Sequence, residues 1–325
     1  MLDIASSQEL AAALSLLPAG LEHLGIRSLL FNSSLTPEHD LGISTAMLQD
    51  LQQLTYLELA GNKIQKFDHD SAVLQPLQAF ASLVDLRLNS QSLHLNAAVD
   101  FDLTASMLSG AHRLTRLEVR ADTWEADVLS GKSQLQHLHI PFSKLTGGSA
   151  PEAQLLSHLQ HMQQLTYINL SCGLRRMEVG NPPAAAYSAL TASSKLQHLG
   201  IRGCTLPAGV WRHIFPSDRQ LPHLQFLNIS GVRQLLQGSD GALYAPAPKG
   251  SGLVSCCPGL TFLVMHDLHH STGLLKALQG LSALRTLCAG YAVYSIEGCN
   301  AVCQLTGLRD LSVICWTHGP PTDYR

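Results

Sequence analysis

Apolar residues recur along the chain in one short pattern, L-x-x-L-x-L, with Ile, Val, Met or Ala at some positions. Its eleven copies begin at Leu21, Leu54, Leu83, Leu114, Leu135, Leu165, Leu196, Leu224, Leu260, Leu284 and Leu308. Successive copies start 21 to 36 residues apart. The L-x-L part alternates apolar and other residues, as a strand with one buried face requires. We therefore predict eleven short strands.

Several stretches between these strands have the spacing of amphipathic helices. Leu155, Leu156 and Leu159, for example, share one face of a 3.6-residue period. The predicted helical stretches cover residues 71–80, 103–108, 151–161 and 272–279. The 21-residue interval before Leu135 leaves room for little more than one helical turn. One strand and one helix cannot bury a core alone, so neighbouring units are expected to stack into a solenoid.

The repeat resembles that of the leucine-rich-repeat family, L-x-x-L-x-L-x-x-N/C-x-L. Residues 54–64, LTYLELAGNKI, match every specified position, and residues 196–206 match with Cys204 in the Asn/Cys position. Other repeats carry different residues there, such as Val232, so a regular asparagine ladder is not expected. The resemblance covers about residues 21–315. It implies an α/β solenoid shaped as a curved horseshoe, with a parallel inner sheet and helices or turns on the convex side.

The organisation expected from these patterns is a single array of about eleven repeats over residues 21–315. Residues 1–20 are expected to form the N-terminal helix of a partial or capping repeat, because Ser6 and Glu9 form a capping-box pattern. Residues 237–252 are rich in Gly, Pro and Ser and are predicted to be a mobile insertion. Residues 316–325 would be a C-terminal tail.

Composition and charge narrow the possible partners. Charged residues make up 14% of the chain and the net charge is -3, with no basic stripe of the kind that nucleic-acid binding needs. No apolar run approaches the ~20 residues that span a bilayer. The eight cysteines are scattered, so we expect reduced thiols, with Cys299 and Cys303 packed in the core from one helix. A monomer in the cytoplasm, or in the nucleus, is expected.

No catalytic motif stands out in the sequence. There is no phosphate loop, nucleophile elbow or dinucleotide fingerprint, so neither an enzyme nor a cofactor is predicted. His137 and His139 have the spacing of two metal ligands on one strand, and Glu118 on a neighbouring strand is the candidate third ligand. The strand on the other side offers Tyr167 and Asn169 instead of Cys, Asp or Glu, and no metal site is predicted.

The strand side chains that alternate with the core leucines are the predicted contact residues for a partner protein. They are Tyr56, Arg87, Arg116, Arg120, His137, His139, Tyr167, His198, Phe226 and Phe262. Tyr167, His198, Phe226 and Phe262 form an aromatic and imidazole column, and such residues are common anchors of interfaces. The alternative for the charged members is that they only pair across adjacent strands.

These features predict a non-catalytic scaffold that binds a partner protein on its concave face. Two narrower alternatives come from the family resemblance. One is the substrate-recognition part of an F-box ubiquitin ligase, which would require an F-box that is not visible before Leu21. The other is a regulator of an enzyme, although the regulators of this family have repeats of more even length.

Overall fold

A computed structural model describes the chain at residues 13, 16–27, 51–60, 81–88, 102–121, 123–141, 144–146, 150–171, 182–235, 243–244, 250–266, 272–290 and 296–313. Strands are numbered along the chain as β1 to β17. Eleven of them form one sheet: β1 His23–Arg27, β2 Tyr56–Ala60, β3 Asp85–Leu88, β5 Arg116–Val119, β7 His137–His139, β9 Tyr167–Asn169, β10 His198–Gly200, β12 Phe226–Asn228, β15 Phe262–Met265, β16 Thr286–Ala289 and β17 Asp310–Val313.

The large sheet follows the order of the sequence from β1 to β17, and every neighbouring pair in it is parallel. Each of the eleven sequence motifs supplies one strand. The motifs also set the register, because equivalent leucines lie opposite one another, as Leu57 does to Leu86. The predicted leucine-rich-repeat solenoid with a parallel inner sheet is therefore confirmed.

The core lies on one side of this sheet. The inward leucines of the strands from β2 to β16 are buried, as with Leu57, Leu117 and Leu227, and helix residues join the same hydrophobic cluster. In β17, at the end of the sheet, Leu311 is 46% exposed. Burying one such leucine contributes roughly 1.5–3 kcal/mol, and the repeat multiplies that contribution along the array. The opposite side of the sheet, which carries the alternating side chains, is the open face.

Helices cover the core side of the sheet and pack against one another. The described α-helices are α1 Pro151–His161, α2 Trp211–Ile214, α3 Gly250–Cys256, α4 Thr272–Ala277 and α5 Ile296–Cys303. Helix α1 has the predicted bounds, with Leu155, Leu156 and Leu159 buried. Helix α4 continues as the 3-10 turn Leu278–Gly280, so the prediction over 272–279 is also confirmed. The predicted helix at 71–80 lies outside the described residues.

In three of the described repeats, 3-10 turns take the place of α-helices. The interval before Leu135 holds one turn, Ala126–Leu129, as its length predicts. The stretch predicted as helical over 103–108 instead begins with the strand Asp102–Leu103 and continues as the 3-10 turn Ala105–Leu108. A longer 3-10 segment spans Ala184–Thr191.

Two small sheets flank the large one and were not expected from the sequence. One contains β4 Asp102–Leu103, β6 Thr123–Glu125 and β8 Lys144–Thr146, and the other contains β11 Thr205–Pro207, β13 Arg233–Leu235 and β14 Leu243–Tyr244. The strands of each small sheet are only two or three residues long. Their central side chains, such as Trp124 and Leu206, close the core.

The predicted insertion at 237–252 is not wholly a loop. Its residues Leu243–Tyr244 pair antiparallel with Arg233–Leu235, and helix α3 begins at Gly250. At Gly252, a Cβ atom would lie 2.7 Å from the backbone oxygen of Phe215, so this helix approaches its neighbour too closely for a side chain. The predicted helix of residues 1–20 and the tail at 316–325 lie largely or wholly outside the described residues.

In the described repeat whose Asn/Cys motif position holds one of these residues, that side chain is buried and hydrogen-bonds the backbone of a neighbouring repeat. The Cys204 thiol is buried and donates to the backbone oxygen of Leu170, 3.4 Å away in the preceding repeat. Val232 occupies the same position one repeat later and is buried without a polar group. The connection between these repeats is thus partly polar and partly apolar.

Lys132 and Glu152 are buried polar residues with hydrogen-bond partners, whereas Nε1 of the buried Trp124 has no partner among the described residues. Lys132 is almost fully buried and its Nζ donates to the backbone oxygens of Leu108 and Ser130 at 3.0 and 3.3 Å. Burial lowers the pKa of Lys132 to about 8. Tyr187 donates its hydroxyl to the buried carboxylate of Glu152 at the start of α1. No helix in the described ranges is long and apolar enough to cross a bilayer.

Candidate binding face

The open face is built from rows of side chains that run across the strands. The first row contains the residue that stands directly before the second apolar position of each motif. Its members are His23, Tyr56, Asp85, Arg116, His137, Tyr167, His198, Phe226, Phe262, Thr286 and Asp310. The second row lies two residues further along each strand, from Gly25 and Glu58 to Cys288 and Ser312. Parallel register brings equivalent positions side by side at the ~4.8 Å strand spacing.

Five consecutive rings of the first row stack on one another. Centroid distances are 4.0 Å for His137–Tyr167, 4.0 Å for Tyr167–His198, 4.0 Å for His198–Phe226 and 4.9 Å for Phe226–Phe262. Interplanar angles lie between 5° and 27°. We call this run the aromatic ladder. Because ring faces cover one another, each ring is half-buried although the sheet face itself is open.

The ladder holds its histidines in the neutral form. Burial, and then the guanidinium of Arg116, lower the pKa of His137 to about 3. Burial, and then His139, lower the pKa of His198 to about 4. Burial also lowers the pKa of His139 against the opposing effect of Glu118. At neutral pH the ladder is therefore an uncharged surface.

The second row beside the ladder is small and polar. The Nδ1 atom of His139 lies 3.2 Å from the hydroxyl of Tyr167. Asn169 Oδ1 accepts hydrogen bonds from the backbone and the hydroxyl of Ser171 at 3.1 and 2.6 Å. Gly200 is next to Asn169, and a Cβ atom on Gly200 would lie 3.0 Å from Asn169 Oδ1. The rings thus border a shallow strip of hydrogen-bonding groups.

The strands before the ladder carry charged residues instead of rings. Arg87 donates two hydrogen bonds to Asp85 on its own strand, Nε to Oδ1 at 3.1 Å and Nη2 to Oδ2 at 2.8 Å. The same guanidinium lies over the ring of Tyr56, 5.2 Å from its centroid. Tyr56 donates its hydroxyl to Glu58 at 2.6 Å. Arginine, ring and carboxylate together form one compact group.

Arg116 connects the charged strands to the ladder. Its Nη2 donates to Glu118 Oε2 at 2.9 Å, and its Nε lies 3.9 Å from Asp85 Oδ1. It stands in register with His137, the first ring of the ladder. The closer pair, with Glu118, therefore lies along one strand, and the longer contact, with Asp85, lies across strands, as the alternative interpretation of the charged residues predicts. Arg120 follows the end of the same strand and is half-buried.

The aromatic ladder ends abruptly at Phe262. Thr286 and then Asp310 follow it in register, and Thr286 Oγ1 donates to Asp310 Oδ2 at 3.2 Å. Phe226 covers one face of the Phe262 ring. Within the described part of the chain, no ring and no arginine lies over the other face. The first row thus changes from large aromatic to small and then acidic side chains.

The three residues weighed as metal ligands do not converge. The rings of His137 and His139 are 6.4 Å apart between centroids, and His137 Nε2 lies 4.0 Å from Glu118 Oε2. His139 is directed to the hydroxyl of Tyr167. Among the described residues, no group of three His, Cys, Asp or Glu side chains has the arrangement of a metal site.

One expectation about the cysteines is wrong. Cys299 and Cys303 lie on helix α5 as predicted, but both are exposed. The helix buries Gly298, Ala301 and Val302 instead, because their spacing places them on the face that meets the core. Cys204, Cys256 and Cys257 are buried, as expected of core thiols.

All ten predicted contact residues lie on or beside the open face. The structure brings Tyr167, His198, Phe226 and Phe262 together as predicted, and His137 joins them. The sequence analysis did not assign His137 to the column. The signal was present in the repeat, since His137 has the same position in its motif as Tyr167.

The fold and face define a leucine-rich-repeat solenoid whose inner sheet carries a central aromatic ladder. No family model and no curated protein matches the chain. Among solved structures, an internalin from Listeria monocytogenes aligns with 96% of this chain and 85% of its own, at 15% sequence identity and a TM-score of 0.47. The assignment of the fold rests on the eleven repeats and their parallel sheet.

Proposed function

We propose that this chain is a non-catalytic scaffold that binds a partner protein on the open, concave face of its large sheet. The observation that carries the proposal is the aromatic ladder, from His137 to Phe262, on a face that no described helix covers. Half-buried aromatic rings beside polar groups are typical of the energetic centre of protein interfaces.

The ladder is suited to binding because it is ordered in advance. Each inner ring is held between two others, so few side-chain rotamers are lost when a partner binds. His137 and His198 are neutral, which removes the cost of desolvating a charge. Both effects favour a partner that offers apolar and uncharged polar groups to the middle of the face.

The polar strip beside the ladder would give such a partner direction. Asn228 Oδ1 accepts a hydrogen bond from the backbone of Ser230 at 3.1 Å, which fixes the orientation of the amide. Its Nδ2 group makes no hydrogen bond to another described residue and is available to a carbonyl of the partner. Gly200, between Asn169 and Asn228, is buried, because the Asn169 side chain lies where a Cβ atom of residue 200 would be.

Capture of partner proteins by tagged variants tests the proposal. The double variant Phe226→Ala with Tyr167→Asp should reduce captured partners at least tenfold, because it removes two ladder rings and places a charge between neutral histidines. Mass spectrometry identifies and quantifies the captured proteins. Their identity also distinguishes a general adaptor from a ubiquitin-ligase substrate receptor or an enzyme regulator.

A matched control is the double variant Gln160→Ala with Lys276→Ala, which changes exposed residues on the helix side. It should capture the same proteins as the unaltered chain. Circular dichroism must show the same folded signal for both double variants. Retention of all partners by the ladder variant, or their loss from the control, would contradict the assignment of the binding face.

A further inference from the structure

The end of the aromatic ladder leaves one ring face and one carboxylate separated by a gap. Phe262, Thr286 and Asp310 occupy consecutive positions of the first row. Two strand intervals place the carboxylate roughly 10 Å from the ring. Thr286 is the only first-row side chain between them, and it is small. Thr286 is hydrogen-bonded to Asp310 and is shorter than Phe262, so the gap lies over Thr286, between the ring and the carboxylate, and is one strand position wide.

The charge of this gap is not compensated within the described part of the chain. Asp310 is exposed and accepts a hydrogen bond from Thr286, but no described lysine, arginine or histidine forms an ion pair with it. The first-row and second-row positions of the strands from β7 to β16 carry no carboxylate. Asp310 therefore presents an isolated negative charge two strand positions from the free face of Phe262.

At the other end of the same face, an arginine binds both an aromatic ring and a carboxylate. There Arg87 lies over the ring of Tyr56 and binds Asp85 through two hydrogen bonds. A guanidinium is planar, so it can stack on a ring and donate two parallel hydrogen bonds to a carboxylate. An ammonium is not planar and lacks this bidentate geometry. At the Phe262 end the ring and the carboxylate are present, and Thr286 stands between them instead of an arginine.

We propose that an arginine side chain of the partner protein fills this gap, stacking on the free face of Phe262 and pairing with Asp310. The proposal rests on the proposed function of the face and specifies one chemical group that the face recognises. The partner's arginine continues the ladder by one position and supplies a cation to pair with Asp310. It also fixes which end of the partner lies at this end of the sheet.

Binding of short peptides to the full chain tests the site without a known partner. The probe is acetyl-Gly-Gly-Arg-Gly-Gly-amide, followed by NMR of the methyl-labelled Thr286 side chain. Peptides with citrulline or lysine in place of arginine are the comparisons, since citrulline keeps the planar shape without charge and lysine keeps the charge without the plane. The arginine peptide should shift the Thr286 methyl signal and bind at least about threefold more tightly than either.

Three variants sharpen the test. Asp310→Asn should weaken binding of the arginine peptide about three- to fivefold, to the level of citrulline, as expected for one exposed ion pair. Thr286→Arg should abolish peptide binding because the protein's own arginine fills the gap. Since this variant lacks the Thr286 methyl group, peptide binding to it is followed on the methyl signals of Val264. Thr286→Val, with the same shape, should bind as the unaltered chain does.

The proposal is overturned if the arginine peptide leaves the Thr286 methyl signal unmoved. Equal binding of arginine and citrulline, equal binding of arginine and lysine, or undiminished binding to Thr286→Arg also overturns it. Loss of partner capture in the ladder variant together with no peptide binding rejects the arginine site and keeps the proposed function. Peptide binding together with undisturbed capture keeps the arginine site and rejects the ladder as the partner surface.

Discussion

The two halves of the open face share one backbone arrangement but use their side chains differently. In the strands from β2 to β5, the close polar contacts run along each strand, between residues two positions apart. These contacts are Tyr56 with Glu58, Arg87 with Asp85 and Arg116 with Glu118. In the strands from β7 to β15, the contacts run across strands as four successive ring stacks.

This difference determines how far each half supports its neighbours. A pair within one strand orders that strand but does little to hold the next repeat. A stack across strands joins consecutive repeats on the open side, in addition to the leucine core on the other side. In a solenoid, whose stability depends on interfaces between adjacent repeats, the ladder half should therefore be the stiffer one.

The largest effect is expected in the core, where the two halves do not differ. Leu57 in the charged half and Leu227 in the ladder half are both fully buried. Leu57→Asp and Leu227→Asp should each lower the free energy of unfolding by about 3–5 kcal/mol, because each buries an unpaired charge. Urea denaturation measures the change. The conservative control Leu57→Met should cost less than about 1.5 kcal/mol.

The next largest effect is a pH dependence of stability that arises in the ladder half. Because the pKa of His198 is about 4 in the folded chain and ordinarily about 6.5, the unfolded chain binds the proton first as pH falls. Stability should decline between about pH 6.5 and pH 4. His198→Phe should remove about 2–3 kcal/mol of that decline, measured by urea denaturation at pH 7 and pH 4.

A variant that keeps every titrating group of the ladder provides the comparison for this pH effect. Phe226→Tyr changes a neighbouring ring without adding a group that titrates between pH 4 and pH 7. It should retain the pH dependence of the unaltered chain. If His198→Phe keeps that dependence too, then the ladder does not hold His198 neutral.

A smaller effect concerns the stacks themselves. His198 stacks on Tyr167 and on Phe226, so His198→Ala removes two contacts at once. At pH 7 the free energy of unfolding should fall by about 1–2 kcal/mol, since one aromatic pair contributes ~0.5–1.5 kcal/mol beyond its buried area. His198→Phe, which preserves both stacks, should cost clearly less. An equal loss from both variants would show that stacking across strands is not what stabilises this half.

The smallest effect is expected in the charged half. Arg116 is about one-third exposed, with 33% of its side chain accessible, and its pair with Glu118 lies within one strand. Arg116→Ala should lower the free energy of unfolding by less than about 1 kcal/mol, and added salt should reduce the difference further. A loss larger than that of His198→Ala would reverse the comparison of the two halves.

Much of the candidate face was predictable because one repeat decides which side of a strand each residue occupies. Tyr167, His198, Phe226 and Phe262 were placed on a common column from their positions in the motif alone. His137 has the same position and was predicted as a contact residue, but it was not assigned to the column. Its role in the ladder depends on ring orientation, which a spacing pattern does not contain.

Other features depended on packing between segments that the motif does not describe. The two small sheets are built from strands of two or three residues, too short for a period to be recognised. Cys299 and Cys303 were placed in the core because cysteine is usually buried. Helix α5 turns Ala301 and Val302 inward instead, and residue type alone does not fix the rotation of a short helix.

The amino-acid pattern was sufficient to predict the solenoid, the order and register of its eleven strands, and the side of the sheet that each strand residue faces. These follow from a hydrophobic repeat that every unit obeys. The stacking of five rings into one ladder, the closest charged pairs along strands and the end of the ladder at Phe262 became visible in the folded chain. Those outcomes depend on side-chain orientation and on the distance between neighbours, which are set when consecutive repeats pack together.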